Sequence, residues 1–574
     1  MALLTELPTE IVCHILGFVD AEDLLFVPRV CRALYHTIVD NSSLFRTHYL
    51  KLLDAPPKDS HVDWQKTVRD VLRLQAIDRK PDVASKRDEL RFVYGVVTEL
   101  LQSAATTGAR CGLPAGMSAQ LPDSRNAGLL AAFFSSQINR SAFLTRSFIF
   151  ERARADAASG TVEYWQGPPK REHQLSAHLH CLYGVPQLFA DPPSTAGNKN
   201  GEDDEGGDST VPPDPVHRWQ YDGKKKALVR PFAISKVYDN RQYSRATKWG
   251  PFMADGTMRV DWEKVEAVMV ALNANIESMR LSQIPLLYLF SNVPFAGTWP
   301  KSWQPPPPPG PGPAPLFNLA ERRGPRVPDP LEHLDPYGVT GVWLRIVCYL
   351  DYNDFYAHNY SVPPHTEGAL SYQQPPPHIS RAALDDTEAT RLILMRIYVT
   401  KVEAPGPGDG QGLPVVHFKG IARHLMNGIN DHPVTDLRGT VRLTPAGDVH
   451  WTTFTIIDSE DVWRSESIQV GGVGSAKGVI GHWFDATYDP VGPVGPTAFW
   501  KISDRNKALA AAGDDDDDDD DDDYLDDGGD DDDEDEMALP NIIVNVNDHP
   551  EGEDTEEEEE GVDDATYTLH VPGS

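Results

Sequence analysis

Four side chains able to bind a metal or act as nucleophiles, His173, His178, His180 and Cys181, fall in one short segment, REHQLSAHLHCLY. Zinc needs donors converging tetrahedrally from a few recurrent spacings, and this spacing matches none of them. Leu175, Leu179 and Leu182 recur between the histidines at intervals of three and four, so the segment reads as an amphipathic helix. The run Gly471-Gly472-Val473-Gly474-Ser475-Ala476-Lys477-Gly478 contains a Lys but lacks the G-x-x-x-x-G-K-[ST] spacing that lets backbone amides cradle phosphate. It reads as a turn between strands. Asp351 and Asp354 in LDYND could pair for acid–base work or serve as turn and cap residues. Neither G-x-S-x-G nor H-E-x-x-H occurs. The five cysteines, Cys13, Cys31, Cys111, Cys181 and Cys348, are odd in number, far apart and without a C-x-x-C pair. Neither a disulfide framework nor a zinc module follows from them. We therefore expect no catalytic residue, no metal and no cofactor.

The elements that would position any site fill a long chain. At 574 residues it suggests two to four folded units. The net charge of −34 sits almost wholly in the tail: 30 of the 86 acids fall in 514–574, which holds no Lys or Arg, leaving 56 acids against 52 bases before it. The body is near neutral and has no clustered basic surface, so nucleic acid is not an expected partner. The N-terminus carries Glu6 and Glu10 where a secretory signal would be basic and then apolar. Leu281 to Gly297 is interrupted by Pro285 and Pro294 and is short for a bilayer. No membrane partner is expected, and the reading is a protein of the cytoplasm, the nucleus or both.

The fold class expected is α+β and multidomain. Residues 1–53 read as a small helical unit, and 54–190 as a helical linker domain, with Val62–Arg79 and Ser85–Gln102 as longer helices. In the second, Leu90, Val93, Val97 and Leu101 share one face. Residues 191–216 lack large apolar side chains and read as a disordered loop. Residues 217–303 form a mixed α/β segment, including a helix capped by Asp261 with Val265, Val268 and Met269 turned inward. A proline-rich linker spans 304–330. Residues 331–505 carry six or more strand patterns without intervening helices, among them VWLRIVCYL, RLILMRIYVTKVE and VHWTTFTII. They suggest an antiparallel domain, barrel or sandwich, with barrel the preferred form. The tail, 506–574, is acidic and disordered.

One N-terminal helix is unusually apolar. At 100° per residue, Ile11, Ile15 and Phe18 point one way and Val12, Leu16 and Val19 another, an arc of about 160°. A single core contact needs only about 100°. Such a helix must be covered from two sides, either by the rest of the protein or in part by a partner. The surrounding segment, LTELPTEIVCHILGFVDAEDLLFVPRVCRALYHTIVDNSSLF, resembles the F-box. The resemblance rests on Leu7-Pro8 with Glu10-Ile11, Ile15-Leu16, Phe18-Val19-Asp20, Asp23-Leu24-Leu25, Val30-Cys31-Arg32 and Leu34. Phe45 stands where the family usually has Trp. It implies docking onto a Skp-family adaptor of a cullin-type ubiquitin ligase. Leu7, Pro8, Ile11, Ile15, Leu24, Leu25, Val30, Cys31 and Leu34 would then form or directly support the interface, with Cys31 a small hydrophobe.

The stretches WGPF, DGTMRVDWEKVEA, DPYGVTGVWLRIVCYLDYND and WRSESIQVGGVGSAKGVIGHWFD resemble the C-terminal region of uncharacterised fungal F-box proteins, over roughly 219–505. A weaker resemblance is to F-box proteins that hold substrate on a β-barrel. No period of 20 to 50 residues indicates a repeat receptor. Trp451, Trp463, Arg464 and Trp483 are the candidate substrate-binding residues, because Trp and Arg are favoured where partners are anchored. The expected function is that of a non-catalytic subunit linking a Skp-family adaptor and cullin scaffold to an unknown protein client. A scaffold or chaperone for basic proteins, attracted by the acidic tail and working outside a ligase, is the second reading. A barrel holding a small apolar ligand is the third, and the sequence shows no polar anchor for one.

Overall fold

The computed structural model describes residues 7–39, 41–56, 62–104, 124–159, 163–164, 169–184, 218–221, 225–278, 295, 331–360, 380–384, 388–425, 434–473, 475, 477–489 and 491–503. The loop expected at 191–216, the proline-rich linker at 304–330, the tail at 506–574 and most of the apolar run from Leu281 lie outside the described residues. No described helix is long and apolar enough to cross a membrane.

The first half is helical. Four helices, α1 (Thr9–Leu16), α2 (Ala21–Leu24), α3 (Arg32–Ile38) and α4 (Ser42–Leu52), form the N-terminal unit. Then come α5 (Trp64–Asp78), α6 (Val83–Lys86), α7 (Leu90–Gln102), α8 (Arg125–Phe133), α9 (Gln137–Phe143), α10 (Phe148–Ser159) and α11 (Arg171–Tyr183). Several starts follow from the residue before them. The side chains of Asn41, Asp63, Asp82 and Ser124 each accept an N–H from the first turn, at 2.8 to 3.1 Å, satisfying donors that no helix can satisfy itself. The helix expected over Ser85–Gln102 is broken by a tight turn at Arg87–Glu89. Its buried face is Leu90, Val93, Val96, Val97 and Leu100, with Leu101 at the margin.

Two more helices, α12 (Arg230–Val237) and α13 (Trp262–Ser278), join this layer to the sheet domain. Residues 263–276 of α13 are buried without interruption. The sequence allows this because Val265, Ala267, Val268, Met269, Val270, Ala271 and Leu272 are apolar on successive sides. Helix α13 packs against α10, α11 and α12 and against the outer wall of a β-barrel.

Short strands β1 (Glu163–Tyr164) and β5 (Arg381–Ala382) pair with each other, as do β2 (Arg218–Tyr221) and β3 (Lys225–Leu228). The barrel uses β4 (Gly341–Tyr349), β6 (Ala389–Glu403), β7 (Val415–His424), β8 (Thr435–Leu443), β9 (Val449–Ile457), β10 (Glu460–Gln469), β11 (Val479–Asp485) and β12 (Val494–Ser503). These eight strands pair in chain order, and β12 closes antiparallel on β4, with Trp500 opposite Leu344. Closure removes the free edges that a sandwich would keep. Contrary to expectation, a helix, α14 (Tyr352–Asn359), lies between β4 and β6. Asp351 caps it, its carboxylate accepting from Asn353 N at 2.8 Å, and this settles the role of LDYND.

Strands β4 and β10 to β12 turn apolar side chains outward as well as inward. Leu344, Ile346, Ile468, Ile480, Phe484, Ala498 and Trp500 point outward into the same core as the helices. That core runs from Val12 to Trp500, across every boundary between the expected helical, mixed and β-rich segments. Inside the barrel a second core gathers Trp343, Phe418, Trp451 and Phe499, with ring centroids 5.1 to 5.7 Å apart. The Phe418 ring fits because a glycine, Gly439, sits across from it. A Cβ at Gly439 would lie 2.3 Å from Phe418 Cζ and 2.3 Å from Thr452 O. Gly439→Ala should therefore lower stability by about 2–3 kcal/mol. Gly95→Ala, in the middle of α7 where a Cβ meets nothing within 4 Å, should raise it by about 0.5–1 kcal/mol. Thermal melting of the two full-length variants beside the wild type measures both signs.

Candidate functional site

The apolar arc of α1 divides as its width requires. Val12 and Leu16 are buried against α3 and α4, whereas Ile11, Ile15 and the following Phe18 are 48 %, 39 % and 75 % exposed. The other helices of the unit do not cover this second direction. Phe26, Val30 and Tyr35, at 53 %, 74 % and 47 %, extend the same behaviour. Half of the twelve large exposed apolar side chains among the described residues thus fall between positions 11 and 35. Scattered singly they would be unremarkable; concentrated in one small unit they mark a surface that something else covers.

The unit holds this surface on a firm base. Asn41 caps α4 through its carbonyl oxygen, and its amide donates to Cys13 Sγ at 3.0 Å, tying α4 to α1. His48 Nε2 lies 3.1 Å from Leu16 O, and Lys51 reaches Gly17 O. Phe45, Tyr49 and Leu53 are buried, and Tyr49 meets Trp64 of α5 edge to face at 4.9 Å. Glu22 and Arg79 form a two-pronged ion pair at 2.6 and 2.7 Å. Asp54 accepts from Ser124 Oγ and Arg125 N at the start of α8. The unit is thus seated on α5 and α8.

The nine residues singled out from the sequence fall into three groups. Pro8, Ile11, Ile15 and Val30 are exposed, and Leu7, Leu25 and Cys31 are half-buried. Leu24 and Leu34 are core residues at 0 % and 6 % exposure and support the surface from beneath. Phe18, Phe26 and Tyr35 belong with the exposed group. The periodicity that flagged Ile11 and Ile15 already pointed to Phe18.

The four candidate substrate-binding residues do not converge. Trp451 is wholly buried among the barrel rings, its Nε1 donating to Gln469 Oε1 at 3.2 Å. It is a packing residue and meets no partner at a surface. Arg464 points out of the barrel, because strand alternation sets it on the opposite face from its neighbour Trp463. Its guanidinium is held by Glu466, with Nε 2.6 Å from Oε1, and it lies over the rings of Phe454 and Tyr488. Only Trp463 and Trp483 meet, edge to face at 5.1 Å, at one end of the barrel interior. Trp483 is 8 % exposed and Trp463 half-buried.

The histidine-rich helix also differs from expectation. Helix α11 is buried on almost every side, not amphipathic, since it lies between α7 and α13. Its polar groups pair with α13: His180 Nδ1 lies 2.6 Å from Glu266 Oε1, and His173 lies between Glu151 and Glu263. Burial raises the Glu266 carboxyl above the usual range. Burial likewise pushes the Cys181 thiol well up, so it stays protonated and unreactive. No group of three or more His, Cys, Asp or Glu among the described residues could hold a metal ion. The Gly-rich run is the turn between β10 and β11, with Gly471, Gly472 and Gly478 at positive φ. Lys477 within it is buried, donates to Tyr183 O at 3.1 Å, and is pushed down to about 7 by burial. A surface cleft of about 530 Å³ contains Arg91 and Lys170, each paired with an acid, Glu172 and Glu151.

His178 stacks on Trp262 with centroids 3.6 Å apart and interplanar angle 5°, its Nδ1 2.9 Å from Tyr94 Oη. Loss of hydration pushes its pKa down to about 3. A depressed histidine contributes stability that is fully present above its unfolded value, about 6.5, and lost as pH falls toward 3. His178→Phe keeps the stack and should remove that component. The stability difference between wild type and variant should then change by the slope of one proton between pH 6.5 and 3, read from denaturant unfolding at several pH values.

No curated protein and no solved structure matches the chain. Residues 4–51 match the model of the F-box-like family. They span the four helices that expose the apolar surface and the core residues beneath it. The N-terminal unit of this chain is an F-box-like domain.

Proposed function

We propose that this chain is the substrate-recognition subunit of a Skp/cullin/F-box ubiquitin ligase. The observation that carries the reading is the concentration of exposed Ile11, Ile15, Phe18, Phe26, Val30 and Tyr35 on an F-box-like unit whose core is formed by Val12, Leu16, Leu24, Leu34, Ile38, Leu44 and Phe45. A Skp-family adaptor covers them, each large side chain taken fully out of water gaining about 1.5–3 kcal/mol. The adaptor in turn binds the cullin scaffold. The client is a protein held by the remainder of the chain, in the cytoplasm or nucleus. In this reading no residue of the chain performs chemistry; holding the client near the ligase's ubiquitin donor raises the effective concentration of its lysines.

The double variant Ile11→Ala, Val30→Ala separates docking from folding. Both side chains are exposed, so its melting temperature should stay within about 2 °C of wild type. Its affinity for a purified Skp-family adaptor should fall at least tenfold. Leu24→Ala is the contrast: a buried leucine whose loss costs about 2–5 kcal/mol of folding stability. Surface-immobilised adaptor titrated with each variant measures the affinities, and an unchanged dissociation constant for the double variant would overturn the assignment.

A further inference from the structure

The barrel interior is not apolar throughout. Beyond the rings of Trp343, Phe418, Trp451 and Phe499, the inward positions become Arg345, Thr453, Ser465, Ser467 and Thr497, with Trp483 and Trp463 at that end. Arg345 follows Trp343 by two residues on β4 and stands opposite Phe499, so its side chain enters the interior. It is 6 % exposed.

Among the described residues this arginine has no counter-ion. Its one hydrogen bond among the described residues runs from Nε to Thr497 Oγ1, at 2.9 Å, and no described carboxylate pairs with it. Burial alone pushes its pKa down, to about 10, with no acid holding it up. A guanidinium offers five N–H donors, and four remain here. Around it, Ser465 and Ser467 are 1 % and 0 % exposed, and neither hydroxyl has a partner. Thr497 stands opposite Gly481, which stands opposite Ser467, so one residue without a side chain separates the two hydroxyls. A Cβ at Gly481 would lie 2.5 Å from Ser467 Oγ. Buried charges and hydroxyls left without partners are costly, and a bound water, ion or ligand is what would offset that cost.

We propose that the polar half of the barrel is a binding site for a monocarboxylate, its two oxygens on the Arg345 guanidinium and the Ser465 and Ser467 hydroxyls, its apolar body toward Trp463 and Trp483. One positive charge without an acidic neighbour balances one negative charge, which favours a carboxylate over a doubly charged phosphate. The planar fork of arginine matches a carboxylate through two parallel hydrogen bonds. An eight-stranded barrel is just wide enough to be filled by side chains or, as in some barrel families, to hold one small ligand. The site is separate from the adaptor-docking surface and holds whether or not that surface binds an adaptor.

The test is calorimetric titration of the full chain with 3-phenylpropionate, benzoate and octanoate, beside 3-phenylpropionamide and inorganic phosphate. At least one acid should bind, and 3-phenylpropionamide at least tenfold more weakly than 3-phenylpropionate if that is the acid that binds; phosphate should not compete. Arg345→Met should abolish acid binding and Ser467→Ala weaken it several-fold. Arg345→Lys, which keeps the charge without the fork, should bind more weakly than wild type, and it guards against a folding defect in Arg345→Met. A free-acid Gly-Gly-Phe peptide binding more tightly than its amide would also support the carboxylate site and assign its source to a chain terminus. Binding of no acid, equal binding of acid and amide, displacement by phosphate, or an Arg345→Met variant that binds like wild type would each overturn the proposal.

Discussion

A helix buried along fourteen consecutive residues must find partners for the polar side chains it carries or leave them at a cost, and α13 is such a helix: among the described residues only Asn273 Oδ1 and Glu266 Oε2 on it stay without one. Its apolar residues alone would let it rotate or slide. Its polar ones do not: Glu263 accepts from Phe148 N at 2.8 Å, Lys264 donates to Gln242 O at 3.1 Å, Glu266 meets His180, and Asn275 donates to Glu388 at 2.9 Å. These partners belong to α10, to the segment after α12, to α11 and to the start of the barrel. The polar contacts thus fix the register of everything packed around α13, at some cost in net stability, since buried ionic groups seldom outweigh their desolvation.

The N-terminal surface and the barrel are consequently not independent bodies on a tether. The F-box-like unit sits on α5 and α8 through Tyr49, Glu22 and Asp54, and the same core continues through α11 and α13 to the outward faces of β4 and β10 to β12. In the proposed role, continuity of packing would matter as much as either binding surface, since a rigid path would limit the volume a held client explores and so raise its effective concentration at the ubiquitin donor.

The barrel shows how closely filling and function compete. Four aromatic rings pack together within it, and Phe418 is admitted by Gly439, whose Cβ would clash with it. On β4, β9, β10 and β12 the interior instead carries hydroxyls and a guanidinium that no described carboxylate pairs. An interior packed for stability alone would not leave a charge there.

Much of this was legible in the chain. The width of the α1 apolar arc showed that two surfaces must cover it, and the order of Leu7-Pro8, Asp23-Leu24-Leu25 and Val30-Cys31-Arg32 identified the domain, because both depend on short-range spacing. Six of the barrel strands and the turn at Gly471–Gly478 were legible for the same reason. Aromatic composition misled at Trp451 and Arg464: they looked like recognition residues, but only register says which face of a strand a residue occupies, and it sent one into the core and the other outward to Glu466. Closure of β12 on β4 involves residues some 150 positions apart, which no local pattern encodes. Arg345 was hidden most deeply. In VWLRIVCYL both strand faces are apolar, because one meets the barrel interior and the other meets α13. Alternation is therefore erased, and tertiary structure alone decides that this arginine points inward, toward the interior hydroxyls and away from every described acid.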